Sequence, residues 1–267
     1  MNAPDRPVHR RSALRAGAGA ALAAALAAGC ADPDSAGPAA ASPTRPEPEK
    51  RPSTGAHAPA PTPHRIPGQP VQIDHGPRDR ARVALTFHGQ GDPAVARTVL
   101  GTAERAGARV TVLAVGSWLD EHPGMARRIL DGGHDLGNHT QHHIDISSMD
   151  ETRAYAEITD CAQRLRRLTG SIGTWFRPSR TRYATPLVQR LAARAGYPHV
   201  LSYDVDSLDF TSPGATAVTR KVAGEIRNGS VVSMHFGYAD TVAALPLLLT
   251  ELDRRGLRAV TTTELLT

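Results

Sequence analysis

The chain has 267 residues, of which 40% are hydrophobic, 21% charged and only 4% aromatic. This suits one globular domain with additional segments, and no apolar run reaches the roughly 18 residues a membrane-spanning helix requires. Two cysteines cannot build a disulfide scaffold. Three of the five net positive charges come from residues 1–29, through Arg6, Arg10, Arg11 and Arg15 against Asp5, and the remaining +2 gives no case for a nucleic-acid surface.

Residues 1–29 read as an export signal. Arg10-Arg11 precede a short Ala/Leu/Gly stretch from Ala16 to Gly29, too short for an anchor helix. The string His-Arg-Arg-Ser-Ala-Leu-Arg resembles a twin-arginine signal, with Ala13 in place of the usual Phe. Leu-Ala-Ala-Gly-Cys resembles a bacterial lipoprotein cleavage box, which implies lipidation at Cys30 and anchoring to the outer face of the cell membrane. Simple secretion is the second choice. Residues 30–70 read as a tether. Eleven of positions 31–70 are Pro and Ile66 is their only large aliphatic residue, so the segment cannot bury enough apolar surface to offset chain entropy. At roughly 3.1 Å per residue it would reach at most about 120 Å.

The domain proper is expected over 71–267. Short apolar runs at Val83–Phe87, Val110–Val115, His134–Gly137, Thr174–Phe176, His199–Tyr203, Val231–His235 and Leu257–Val260 read as strands separated by helices. The clearest helix is expected over Ser148–Leu168. It has a Ser148/Glu151 capping box, an apolar face of Tyr155, Ile158, Ala162, Leu165 and Leu168, and a stop at Gly170. Repeated strand–helix alternation without a dinucleotide-type glycine fingerprint predicts an α/β barrel of parallel strands, with functional groups at the C-terminal strand ends.

Those ends carry His88, His139 with His143, Arg177, Asp204 with Asp206 and Asp209, and His235. A helical turn over 139–143 would put His139 and His143 on one face, able to chelate a divalent ion, while His142 points elsewhere. Arg177 suits either a carboxylate-orienting role or a structural ion pair. The aspartates suit either a site or a solvated loop. His235 suits either a core position or a general acid held by a carboxylate. Cys161 falls beside the helix's apolar stripe and reads as a buried thiol. Trp118 and Trp175 suit either sugar stacking or core packing.

Taken in order, these residues resemble the NodB-homology polysaccharide deacetylases, the metal-dependent carbohydrate esterases. Val83-Ala-Leu-Thr-Phe87 is similar to the family's first strand, and Gly132-Gly-His-Asp-Leu-Gly-Asn-His-Thr140 leading to His143 to its metal motif. Phe176-Arg177-Pro178 is similar to the third motif, Asp206-Ser-Leu-Asp-Phe210 to the fourth, and Gly229 to His235 to the strand with the last histidine. The resemblance implies a distorted seven-stranded (β/α) barrel that removes acetyl groups from a cell-envelope polysaccharide, either peptidoglycan or a chitin-like glycan. It implies a divalent metal, zinc foremost, on His139 and His143. His235 would be the general acid, Asp209 or else Asp206 would hold His235, Arg177 would orient the base, and the main-chain N–H of Ser179 would serve the oxyanion.

The first motif departs from the family. Where it reads Thr-Phe-Asp-Asp-Gly, this chain reads Thr86-Phe-His-Gly-Gln-Gly-Asp92. Three repairs are open: His88 as third metal ligand, Asp92 returning as ligand or base from its glycine-flanked loop, or His88 as base. Otherwise the protein is an inactive deacetylase-like lipoprotein that binds glycan.

Overall fold

The computed structural model describes residues 60–267; the export signal, Cys30 and most of the tether lie outside the described residues. The centre is β2 (Arg82–Gly89), a strand buried along most of its length, as expected of a parallel strand covered on both faces. Parallel to it along one edge runs β7 (Val231–His235), and along the other β3 (Thr111–Ala114). β8 (Arg258–Val260) pairs with the first residues of β2. β4 (Asp135–Asn138) follows β3, and β6 (Val205–Asp206) borders β7. The short strands β1 (Gln72–Ile73) and β5 (Val200–Leu201) pair in parallel. Single bridges at Phe176, to Asn138 and to Val200, join β4 to β5. The result is the distorted parallel α/β barrel anticipated from the strand–helix alternation.

The strands' period of two divides the core into two layers. Val83, Leu85 and Phe87 of β2, with Val112, Val232 and Met234, pack against α1 (Pro93–Arg105) and α7 (Ala239–Arg254) outside the sheet. Their neighbours Ala84, Leu113, Val231 and Val260 meet Ile73, Trp175 and Leu201 inside the barrel. A second outer layer, on α4 (Glu151–Thr169) and α5 (Pro186–Arg194), covers Phe176 and Val200. The C-terminal helix α8 (Thr262–Leu266) closes the barrel where β3 and β4 begin. Thr262 N–H donates to Thr111 Oγ1 at 2.8 Å and Thr263 N–H to Asp135 Oδ2 at 2.9 Å, while Leu265 and Leu266 enter the interior.

Several local expectations need correction. The long helix starts at Glu151, because Asp150, not Ser148, caps it by accepting the Arg153 N–H at 2.9 Å. Ser148 belongs to a 3₁₀ turn, Ile146–Ser148. Gly170 does end the helix, at φ 84°, where a side chain would be strained. The run Thr174–Phe176 forms only isolated bridges. Its close approach to β4 needs Gly137, since a Cβ there would lie 2.6 Å from the Trp175 carbonyl oxygen. Residues 60–70, read from sequence as tether, lie against the barrel. Ala60 and Ile66 are buried, and the Ile66 N–H donates to His199 Nε2 at 2.9 Å.

Candidate metal centre and active site

The alternation that sends Ala84 inward also sends Thr86 and His88 inward, at rising height. The β2–β7 register pairs Thr86 with Ser233 and His88 with His235. Two imidazoles therefore stand side by side at the barrel mouth, ring centroids 4.3 Å apart. His139 directly follows β4, with its N–H bonded to the Ala114 carbonyl at 2.9 Å. His143 does not reach the site on a helix. Thr140 (φ 68°) and His143 (φ 56°) are both left-handed, pinned by Thr140 N–H to Asn138 Oδ1 at 2.8 Å and His143 N–H to Thr140 Oγ1 at 3.3 Å. Such backbone is costly for non-glycine residues and persists where the surroundings enforce it. The helical expectation for 139–143 thus fails, but the pair still converges, with centroids 4.8 Å apart.

One ligand nitrogen from each of His88, His139 and His143 lies within 4.8 Å of the others. The tautomer of His139 is set by its Nδ1–H, which donates to the Arg177 carbonyl at 3.0 Å and leaves the Nε2 lone pair facing His88 Nδ1, also at 3.0 Å. His88 Nε2 lies 3.1 Å from Ser233 Oγ. His143 Nε2 is buried without any hydrogen-bond partner. An orphaned polar atom of this kind costs about 1–3 kcal/mol, and a cation would remove that cost. Burial is the main cause that holds all three imidazoles neutral. His88 and His139 lie well below the usual histidine range, each depressed further by neighbouring imidazoles, and His143 is lowered to about 4 by burial, Arg180 and His235. Neutral, convergent, partly unsatisfied nitrogens fit a divalent ion such as zinc.

Beside them is an acid pair. Asp209, fully buried, accepts from His235 Nδ1 at 2.7 Å, His235 N–H at 2.8 Å and Thr241 Oγ1 at 2.6 Å. The alternative partner for His235, Asp206, does not contact it. Asp206 accepts the Leu208 N–H at 3.1 Å and pairs in register with Ser233. Since Val205 belongs to the outer layer, Asp206 faces the barrel mouth.

Arg177 is entirely buried beneath the histidines. It donates to Thr86 Oγ1 (2.9 Å) and to the carbonyls of Leu201 (3.1 Å) and Ser202 (2.9 Å). Burial lowers its pKa to about 10. None of its hydrogen bonds goes to a carboxylate, because the first motif offers none to orient. Asp92 is exposed and caps α1, accepting the Ala94 N–H at 2.8 Å, so it takes no part in the histidine group. Ser179 is buried. Its hydroxyl accepts from Thr140 Oγ1 and donates to the Ile144 carbonyl, while its neighbour Arg180 is the residue that lines the pocket. His142 turns away to Glu157 (2.6 Å), as expected. Cys161 is buried, and burial pushes its thiol up to about 12. Trp175 packs inside the barrel and bonds Asp135, while Trp118 donates to the Gly91 carbonyl at 2.7 Å. A pocket of about 420 Å³ opens over His88, His143 and His235, with Arg180, Asp206 and Phe210 on its walls. Sequence reading missed Ser233, hidden in an apolar run, and Thr241, which lies on a helix with no motif.

The model of the polysaccharide deacetylase family matches residues 75–200. A peptidoglycan-N-acetylglucosamine deacetylase from Bacillus cereus is 31% identical over 194 residues, covering 71% of this chain and 90% of that protein. The chain belongs to the polysaccharide deacetylase family. The Listeria monocytogenes peptidoglycan-N-acetylglucosamine deacetylase is 29% identical over 73% of this chain, which spans only 41% of that longer protein. Among solved structures, a CE4 family pseudoenzyme from Bacillus anthracis superposes with a TM-score of 0.70 at 22% identity, covering 74% of this chain and 70% of that one. A mutant of it with restored enzymatic activity gives a TM-score of 0.69 at 24% identity, over 74% and 72% of the two chains. At these identities the two structures support the deacetylase fold alone. Within the family, this chain's departure is local. His139, His143, the buried Arg177 and the Asp209–His235 pair stand where the resemblance expects them, and the changes lie at His88 and Gly89 and, after Arg177-Pro178, at Ser179-Arg180, where the family tends to have an aromatic residue and a glycine. A Cβ at Gly89 would lie 2.9 Å from Val112 Cγ1 and 3.0 Å from Ala114 Cα. A carboxylate at position 89 therefore needs β3 to move.

Proposed function

We propose that this protein is a metal-dependent hydrolase that removes acetyl groups from the amino sugars of a cell-envelope polysaccharide. The observation that carries this reading is the convergence of three neutral imidazoles, one with an orphaned buried nitrogen, beside a carboxylate-held fourth. The relatives' activity on peptidoglycan supports the substrate class. His139 and His143 would bind through Nε2 and His88 through Nδ1, with His88 Nε2–H turned to Ser233. A divalent ion there, zinc foremost for an all-nitrogen set, supplies Lewis acidity and a water of lowered pKa.

The chain's own groups do the rest. Asp206 is the one carboxylate lining the pocket, one side chain across from Ser233, and it replaces the missing first-motif carboxylate as proton acceptor. Asp209 accepts His235 Nδ1–H and fixes the ring, so that Nε2 is turned to donate a proton to the departing sugar nitrogen. Arg177 ties β2 to the 201–202 segment and keeps the carbonyl that orients His139 in place. We further propose that the signal at 1–29 exports the chain, that Cys30 carries a lipid, and that the Pro-rich segment spaces the barrel from the membrane toward its glycan.

A second reading, a glycan-binding protein without turnover, is favoured by one observation: no carboxylate hydrogen-bonds to any of the three clustered histidines among the described residues. Acetate release from purified peptidoglycan and from chitin oligomers, measured with zinc and after chelation, separates the two. Chelator-sensitive acetate release supports the hydrolase. Glycan binding without acetate release under either condition supports the binder.

A further inference from the structure

The pocket wall next to His143 has a feature the acetyl-removing chemistry does not require. In a span of three residues it carries two guanidinium groups, Arg180 and Arg182, both lining the same pocket as His88 and His235. Both are committed only to carbonyl oxygens. Arg180 Nε donates to the His143 carbonyl at 3.0 Å. Arg182 Nε donates to the Tyr203 carbonyl at 3.1 Å, and one of its terminal nitrogens to the Asp204 carbonyl at 3.2 Å. Among the described residues neither forms an ion pair with a carboxylate. An arginine presents five N–H groups. Both side chains are exposed, and the terminal nitrogens of Arg180 and most of the N–H groups on those of Arg182 have no protein partner and face solvent.

Arg182 is positioned by more than its carbonyl bonds. The Arg182 guanidinium lies 5.2 Å from the ring centres of both Tyr183 and Tyr203, and Tyr203 is itself flanked by Arg177 at 5.4 Å. Cation–π contacts and carbonyl bonds position the Arg182 fork with its remaining donors open to solvent, which suits planar recognition of a carboxylate. The only opposing charge on the pocket lining is Asp206, whose Oδ1 is engaged by the Leu208 N–H. On the far side of His235 and Tyr238, the adjoining pocket of about 430 Å³ has Glu121 as its only charged lining residue apart from its histidines. The groove is thus cationic on one side of the histidines and acidic on the other.

We infer that Arg180 and Arg182 form a carboxylate-binding subsite, so that the glycan processed here carries an acidic group beside the acetylated amino sugar. This rests on the deacetylase reading and specifies its substrate class. Two sources supply that chemistry: a lactyl ether on the acetylated sugar itself, as in muramic acid, or a neighbouring uronic acid.

The test is titration of the full-length, zinc-loaded protein with four probes. They are an N-acetylmuramic acid-containing disaccharide, its carboxyl methyl ester, a glucuronic acid–N-acetylglucosamine oligomer and chitobiose. Acetate release is followed in parallel. Charge-assisted hydrogen bonds at this site should favour an acidic probe over its neutral counterpart by about tenfold or more at low salt, with the preference shrinking as salt rises. The muramoyl and uronic arms show which source fits. Arg180→Gln/Arg182→Gln should bring acidic and neutral probes within about twofold of each other. Equal affinity for acid and ester in the wild type, including failure to bind either, overturns the inference, as does a preference that survives the double substitution. Acid preference without acetate release upholds the subsite and defeats the deacetylase reading. Acetate release without acid preference does the reverse.

Discussion

Asp209 is the residue whose removal the structure evaluates most directly. Its carboxylate is fully buried and accepts three hydrogen bonds of 2.6–2.8 Å, from both the main chain and the ring of His235 and from Thr241. Asp209→Ala leaves all three donors unsatisfied in the interior. At about 1–3 kcal/mol for each such group, with partial relief by water or rotation, the loss should be on the order of 3–5 kcal/mol. That is a large part of the roughly 5–15 kcal/mol that holds an ordinary domain together. Thr241→Val removes one donor and its bond together and should cost only about 0.5–1.5 kcal/mol. Urea unfolding followed by circular dichroism measures both. In the proposed reaction Asp209 also fixes His235 for proton donation, so Asp209→Asn should lower kcat for acetate release by about 100-fold or more while bound metal is retained. An Asp209→Ala protein within about 1 kcal/mol of wild type, or no more destabilised than Thr241→Val, would mean that the three donors find other partners.

Asp206→Asn should reduce kcat by about 100-fold or more without changing metal content; unaltered turnover would remove Asp206 from its assigned role. Gly89→Asp, which restores one first-motif carboxylate, should destabilise the fold by about 1–3 kcal/mol, because its Cβ meets β3. Wild-type thermal stability with increased activity would show that β3 yields. In metal-free protein, the depressed pKa of His143, at about 4, and the similarly lowered His88 and His139 mean that the unfolded chain binds more protons below about pH 6.5. Stability should therefore fall as pH drops from about 6.5 toward 4. A urea midpoint that is flat or rising across that window would contradict the burial argument.

The barrel was legible in sequence wherever a strand is buried on both faces, because Val83–Phe87 and Val231–His235 then appear as mainly apolar runs broken only by Thr86, Ser233 and His235. β1 and β6 were not, since each is two residues long and its Gln72 or Asp206 breaks the run. The metal motif was legible as residue types but not as geometry. The turn that brings His143 to His139 depends on left-handed backbone at Thr140 and His143, which Asn138 enforces through a side-chain bond that spacing does not reveal. The choice between Asp209 and Asp206 also needed the fold. The 3₁₀ turn Asp209–Thr211 swings Asp209 under His235, while strand pairing fixes Asp206 beside Ser233. His88 gave the clearest signal, a histidine where a carboxylate was expected, yet only the β2–β7 register shows that it faces the other imidazoles.

In the proposed site His88, His139 and His143 together hold one divalent ion. Elemental analysis of the full-length protein after zinc loading and dialysis tests it directly, with His143→Ala and His88→Ala prepared alongside. About one zinc per chain is expected in the wild type, and its loss in both variants. Metal-free wild type, or variants that keep a full complement of zinc, would contradict it.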